Sequence, residues 1–114
     1  MPVKTTKLEN DIVVLELRGR FVGGDETDLL KKTIQELQEQ GNKKLVIDLE
    51  KVLYLNSTAL GILVAAHTHY AKEGGQVKLC GITKNIENIF VITKLTLVFN
   101  VYENQLEAVA SFSK

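Results

Sequence analysis

The residues best suited to chemistry form one run, Asn56-Ser57-Thr58, where a strand-like segment meets an apolar segment of helical length. In open α/β sheets, binding sites form at the carboxyl ends of strands. A helix N-terminus there offers unpaired N–H groups and a partial positive charge, which stabilise an anion. A hydroxyl in this run is therefore a candidate phosphate acceptor, although Ser and Thr are also favoured simply as helix caps. The residue types alone leave both interpretations open.

Other potentially reactive side chains have simpler explanations. His67 and His69 are two positions apart, about 200° around a helix, and cannot face one metal ion. Cys80 lies in an apolar run and is expected to be a small buried residue and not a reactive thiol. As the sole cysteine it has no internal disulfide partner, which favours a reducing compartment. The sequence therefore predicts no metal site and no cofactor site.

Composition limits the class of protein. A chain of 114 residues is one domain, which we assign to residues 1–114. With 14 basic and 14 acidic side chains the formal net charge is zero, which argues against direct nucleic-acid binding. No apolar run reaches the roughly 18 residues of a membrane span, and residues 1–6 lack the apolar centre of a signal peptide. A cytoplasmic protein is expected, and composition alone favours neither an enzyme nor a binding module.

The elements that must position Ser57 follow from hydrophobic periodicity. Alternating or continuous apolar runs predict strands, and glycines end the segments with helical spacing. Residues 48–52 are predicted to connect the buried run 45–47 to a short segment, 53–55, that leads into the Ser57 helix. Asp25 or Thr27 is the predicted cap of the first helix, and Thr83 that of the third. The predicted strands cover residues 4–8, 12–17, 45–47, 76–80 and 97–102, and the predicted helices begin near residues 26, 57, 84 and 104.

This order predicts an α/β fold with a mixed, mainly parallel sheet, because strands that alternate with helices need crossover connections. The first two strands, joined by a tight polar turn, add an N-terminal antiparallel hairpin. The helices are expected to pack on the sheet around one core. Its predicted members are Leu45, Val46, Ile47, Leu60, Leu63, Ala66, Val77, Leu79 and Ile89.

The run at residues 53–63, Leu-Tyr-Leu-Asn-Ser-Thr-Ala-Leu-Gly-Ile-Leu, resembles the central motif of the STAS domain found in bacterial anti-sigma factor antagonists. The similarity extends over nearly the whole chain, through the strand-like segments 14–19, 45–49 and 74–80. Within the motif, Asn56 stands where the family typically has aspartate, and Ala59 stands where it has glycine.

The resemblance implies a regulatory binding module and not an enzyme. Family members bind an anti-sigma factor that is also a serine kinase, and so control sigma-factor-dependent transcription. The kinase phosphorylates the first serine of the motif, which releases the antagonist, and a phosphatase resets it. Carried onto this chain, the acceptor is Ser57, with Thr58 beside it.

We expect the partner surface to surround this serine, because the loops at strand ends converge at one edge of a sheet. The predicted surface is exposed and would dock on the anti-sigma kinase. Besides Ser57, its predicted members are Asn56, Thr58, Ile62, Phe21 and Gly23.

Two alternative functions fit parts of the sequence. Asp48 ends a predicted strand, as the phosphoacceptor of a receiver domain would, but Arg18-Gly19-Arg20 stands where a receiver needs acidic residues for magnesium. Pro2 could serve as the N-terminal base of a tautomerase-like enzyme if Met1 were removed. The segment after Pro2 and the helix-rich second half of the chain fit that family poorly.

Overall fold

The computed structural model describes residues 1–113, in which five strands form one sheet, ordered as they occur along the chain. The first two strands pair antiparallel, and every later neighbour pairs parallel. The predicted mixed sheet with an N-terminal hairpin is confirmed. The strands are β1 (Val3–Lys7), β2 (Ile12–Phe21), β3 (Lys44–Leu55), β4 (Gln76–Cys80) and β5 (Asn100–Tyr102).

Helices cover both faces of the sheet. The helices of the described chain are α1 (Asp25–Glu39), α2 (Ser57–Lys72), α3 (Lys84–Ile92) and α4 (Gln105–Ser111). The first three pack on one face and α4 packs on the other. In α1 the residues buried against the sheet include Leu30, Ile34 and Leu37, as their helical spacing predicts.

The apolar residues form two cores and not the single core that we expected. The larger core lies between the sheet and helices α1 to α3, and it contains most of the predicted members, including Leu45, Ile47 and Leu63. Val46 belongs to the smaller core under α4, because alternate residues of a strand point to opposite faces. Ile89 is only partly buried at the margin of the larger core.

The strand that leads to Ser57 is longer than predicted. β3 runs without interruption through residues 48–52, where we expected a connection. Its register against β2 shifts twice, between the partners of Glu16 and Arg18 and between those of Gly19 and Arg20. These β-bulges break the alternation of apolar and polar residues, so the sequence pattern resembles a gap in the strand.

Two other boundaries differ from the prediction. β2 continues to Phe21, four residues beyond the predicted end. The predicted fifth strand loses its first half, because residues Leu95–Leu97 form a 3-10 turn. That turn places Phe99 in the larger core, where its ring meets His67 edge-on with the ring centroids 5.2 Å apart.

No helix in residues 1–113 is long and apolar enough to cross a bilayer.

Candidate functional site

The N-terminus of α2 is capped by Asn56, not by a hydroxyl. Asn56 has an extended backbone, and its side-chain Oδ1 accepts a hydrogen bond from the Ala59 N–H at 2.9 Å. This is standard N-cap geometry, in which the cap satisfies the N–H of the third helical residue. The interpretation of Ser57 as a cap is therefore wrong, because Ser57 is the first residue inside the helix.

Ser57 and Thr58 are both exposed on the first turn of α2. Within residues 1–113, the Ser57 hydroxyl has no hydrogen-bond partner, and the first turn of α2 carries no acidic side chain. The first turn of α1, in contrast, contains three acidic residues. The positive end of the α2 dipole is thus not neutralised by its own side chains.

Phe21 positions this turn from below and does not lie on the surface. Its carbonyl accepts the Asn56 N–H at 2.9 Å, directly after the Phe21–Leu55 register pair of β2 and β3. The Phe21 side chain is fully buried in the larger core, so its predicted place in an exposed patch is wrong. A large aromatic ring at the last inward position of a strand gains more by burial than by exposure.

Gly23 lies beside Asn56, as predicted. Its backbone has a φ of +92°, and a Cβ built on it would lie 3.4 Å from the Asn56 Nδ2. Only glycine adopts this conformation without strain, and a side chain here would crowd the cap. The loop between β2 and α1 therefore approaches the start of α2 closely through its backbone.

Two residues of the first turn of α1 hold this loop: Thr27, one of the two predicted caps, and Glu26, which was not among the predicted functional residues. Glu26 Oε2 accepts hydrogen bonds from the N–H groups of Val22 and Gly24, at 2.8 and 3.1 Å, and from the Thr27 hydroxyl at 2.6 Å. Thr27 Oγ1 in turn accepts the Gly23 N–H at 2.9 Å. The Thr27 hydroxyl, with the backbone donors, lowers the pKa of Glu26 to about 2.

The predicted cap of α1 was consequently wrong in position. Gly24 occupies the N-cap, while Glu26 and Thr27 reach back from the first turn to the preceding N–H groups. Glu26 Oε2 accepts the N–H of the N-cap residue, as the glutamate of a capping box does, although here the N-cap is glycine and Glu26 is the second helical residue.

Ile62 extends the site along α2. It follows Thr58 by four residues, so the two share one side of the helix. Ile62 is half-buried and lines a groove of about 300 Å³ between α1 and α2, together with Ile34, Gln38 and His69. Asn56, Ser57, Thr58 and Gly23 therefore lie together, and Ile62 lies one turn further along the helix.

The residues behind the alternative functions have structural roles here. Asp48 accepts hydrogen bonds from the Glu50 N–H at 3.0 Å and from Gln105 Nε2 at 2.6 Å, so its carboxylate anchors α4 to β3. The Pro2 carbonyl accepts the Arg18 N–H at 2.8 Å, which extends the pairing of the first two strands by one hydrogen bond. Burial, with Asp48 nearby, raises the pKa of the Cys80 thiol to about 12, which keeps it protonated and unreactive.

The strand order of this sheet, β1-β2-β3-β4-β5, differs from the order 2-1-3-4-5 of a receiver domain. The fold is instead an α/β domain in which a helix with an exposed hydroxyl in its first turn starts directly after the longest strand. The STAS domain family matches residues 4–108. The chain therefore belongs to the STAS domain family, and the resemblance seen in the motif is confirmed.

Individual relatives agree with this assignment. The chain is 33% identical to the anti-sigma-B factor antagonist of Bacillus subtilis over 73 residues, 64% of this chain and 66% of the relative. The structure of an anti-sigma-factor antagonist (STAS) domain protein from Planctomyces limnophilus matches with a TM-score of 0.84 and 18% identity, over 98% of both chains. The Bacillus cell fate determinant SpoIIAA, solved in its phosphorylated form, matches with a TM-score of 0.77 and 14% identity, over 96% of this chain and 98% of that one.

Proposed function

We propose that this protein is an anti-sigma factor antagonist that binds an anti-sigma factor with serine kinase activity and is released when Ser57 is phosphorylated. By this switch it would regulate sigma-factor-dependent transcription, as a binding protein and not as an enzyme. The observation that carries the proposal is the exposed Ser57 hydroxyl, which stands at the first serine position of the family motif and is not used as a cap.

The position of Ser57 is chemically suited to a reversible phosphate. The group adds about −1.5 to −2 charges at pH 7 and three acceptor oxygens. The first N–H groups of α2, those of Ser57 and Thr58, are available because the Asn56 side chain satisfies the N–H of Ala59 and its carbonyl that of Leu60. The same charge, placed inside a docked interface, would be costly to desolvate and would favour release.

The proposed partner surface is the set of residues around this hydroxyl. We define the Ser57 surface as Gly23, Asn56, Ser57, Thr58 and Ile62; Phe21 supports it from the core. Thr58→Arg should weaken binding of the cognate anti-sigma kinase, because Thr58 is exposed at the centre of the surface. The unfolding curve should be unchanged, and unaltered binding would show that the surface lies elsewhere.

Phosphorylation is tested by mass spectrometry after incubation with each purified anti-sigma kinase of the source organism and ATP. Ser57→Ala should abolish phosphorylation. Thr58→Ala, which removes the neighbouring hydroxyl from the same turn, should still be phosphorylated. The phosphatase that would reset the switch need not be known for this test, because the resetting step comes after the transfer. Phosphate on Thr58 alone, or none in a complex that demonstrably forms, would contradict the assignment.

A further inference from the structure

The face of the sheet that carries α4 is covered only in part. The buried apolar side chains there are Ile12, Val14, Val46, Cys80 and Ala108, with Tyr102, Val109 and Phe112 packed against them. Towards the Ser57 end, β2 and β3 continue past this cluster and present exposed side chains on the same face. We call this area the cationic face and define it as Arg18, Arg20, Lys51 and Tyr54.

Two positive charges of the cationic face lie close together and repel each other in the isolated protein. Arg18 and Lys51 are register partners on adjacent parallel strands, so two like charges lie side by side. Such pairs destabilise a sheet. Lys51 is offset by Glu16, whose Oε1 lies 4.0 Å from its Nζ, but neither Arg18 nor Arg20 has an ion-pair partner within residues 1–113.

The same face presents side chains typical of protein interfaces. The Arg20 guanidinium lies 5.4 Å from the centroid of the Tyr54 ring, and Tyr54 and the adjacent Leu53 are 41% and 53% exposed. Arginine and tyrosine are enriched at interfaces, where a stacked guanidinium keeps its donors available for a carboxylate.

The cationic face is continuous with the Ser57 surface. Arg20 and Tyr54 are register partners, and the next pair along, Phe21 and Leu55, leads directly to Asn56 through the Phe21 carbonyl. A partner seated on Ser57 would therefore extend over the cationic face if it continued back along β3, from Asn56 towards Lys51.

We propose that the cationic face docks an acidic segment of the same protein partner that engages the Ser57 surface. This inference rests on the proposed function and adds the charge of the partner to it. The positive face attracts a complementary acidic segment during the encounter, so it acts mainly on the association rate. Docking also relieves the repulsion between Arg18 and Lys51, because the carboxylates of the partner lie between them.

The test compares Arg18→Glu with Lys72→Glu. Both variants change the net charge equally, and Lys72 is exposed on the last turn of α2, at the end of that helix opposite to Ser57. Arg18→Glu places a carboxylate opposite Lys51, so the variant should unfold at the same denaturant concentration as the parent protein or a higher one. Association rates are measured against each purified anti-sigma kinase of the source organism.

We expect Arg18→Glu to slow association about tenfold at low salt, and the difference to shrink as the ionic strength rises. Lys72→Glu should stay within about twofold of the parent rate, as expected of a charge outside the interface. Equal rates for the two variants, with a parent protein that does bind, would overturn the cationic face and leave the proposed function intact.

Two further outcomes are decisive. A parent protein that binds none of the kinases overturns the proposed function and this inference with it. The second outcome involves a DNA duplex of about 20 base pairs at the same salt. If the parent protein binds this duplex, and Arg18→Glu abolishes that binding but leaves kinase association unchanged, the cationic face binds nucleic acid instead.

Discussion

At the scale of single residues, the most informative side chain is Asn56, because it separates two roles that the motif combines. By accepting the Ala59 N–H it starts α2, and it thereby leaves the Ser57 hydroxyl exposed and without a structural task. A serine that capped the helix would have to break that hydrogen bond before it could be phosphorylated.

We predict that Asn56→Ala lowers the free energy of unfolding by about 1 kcal/mol, as loss of an N-cap does. Asn56→Asp should be nearly neutral or slightly stabilising, because aspartate caps equally well and its charge favours a helix N-terminus. Urea denaturation of both variants measures this. If the carboxylate found in the family motif assists the kinase, Asn56→Asp is also phosphorylated faster than the parent. An alanine variant as stable as the parent would contradict the capping role.

Glu26 gives a prediction for pH. Its pKa is lowered from 4.5 to about 2 in the folded protein, first by the Thr27 hydroxyl, so the unfolded chain binds the proton more tightly. The stability that Glu26 contributes is therefore complete above about pH 4.5 and is lost as the pH falls towards 2. Glu26→Gln should flatten the dependence of unfolding free energy on pH within this window. A matched Glu36→Gln exchange, on an exposed position of the same helix, is the control for removing one carboxylate from α1.

At the scale of elements, the sequence predicted which segments form strands and helices better than where they end. Burial at the regular spacing of a strand or a helix produces a hydrophobic periodicity that the sequence displays. The continuous run Leu45-Val46-Ile47 and the apolar spacing of α1 and α2 are examples. The two bulges of β3 and the turn that buries Phe99 depend on contacts with β2 and α2, which are distant in the chain. Gly23 lies in the predicted loop, but Phe21 is the last residue of β2, and its inward direction depends on strand register, which the sequence does not display.

Gly61 gives a prediction for α2. It is exposed, four residues after Ser57 on the same side of the helix, and a Cβ built there meets no atom within 4 Å. Nothing in the fold requires glycine, so Gly61→Ala should raise the free energy of unfolding by about 0.5–1 kcal/mol. If a partner approaches the Ser57 surface closely, the same methyl group weakens binding. Calorimetry with the cognate kinase and urea denaturation separate the two effects.

The control for Gly61 is the reverse exchange two turns from Ser57. Ala65→Gly should lower stability by a similar amount, because it returns backbone freedom to the unfolded chain. Its position, further from the start of α2, should leave partner binding nearly unchanged. A Gly61→Ala variant that gains stability and keeps its full affinity would show that the partner does not contact this side of the first turns.

At the scale of the whole molecule, one sheet separates two cores, and the proposed site lies at the carboxyl end of its central strand, β3. The larger core fixes α2, and with it Ser57, against β3 and β4, while the smaller core holds α4. α4 is further tied to the sheet by the hydrogen bond from Gln105 to Asp48 and by Lys78, whose Nζ donates to Ser111 Oγ at 2.7 Å. The site is thus built on the elements of the larger core, and its geometry depends on that core first.

We therefore predict different consequences for two neighbouring residues of β3 that are both fully buried. Ile47→Ala should lower the free energy of unfolding by about 2–5 kcal/mol, because it leaves a cavity in the larger core. Val46→Ala removes fewer carbon atoms from the smaller core and should cost less. Since both cores share the sheet, each variant should still unfold in one cooperative transition, followed by circular dichroism in urea. Phosphorylation of Ser57 below the transition should fall more in Ile47→Ala than in Val46→Ala. A loss under about 0.5 kcal/mol in Ile47→Ala would contradict the burial on which the position of the site depends.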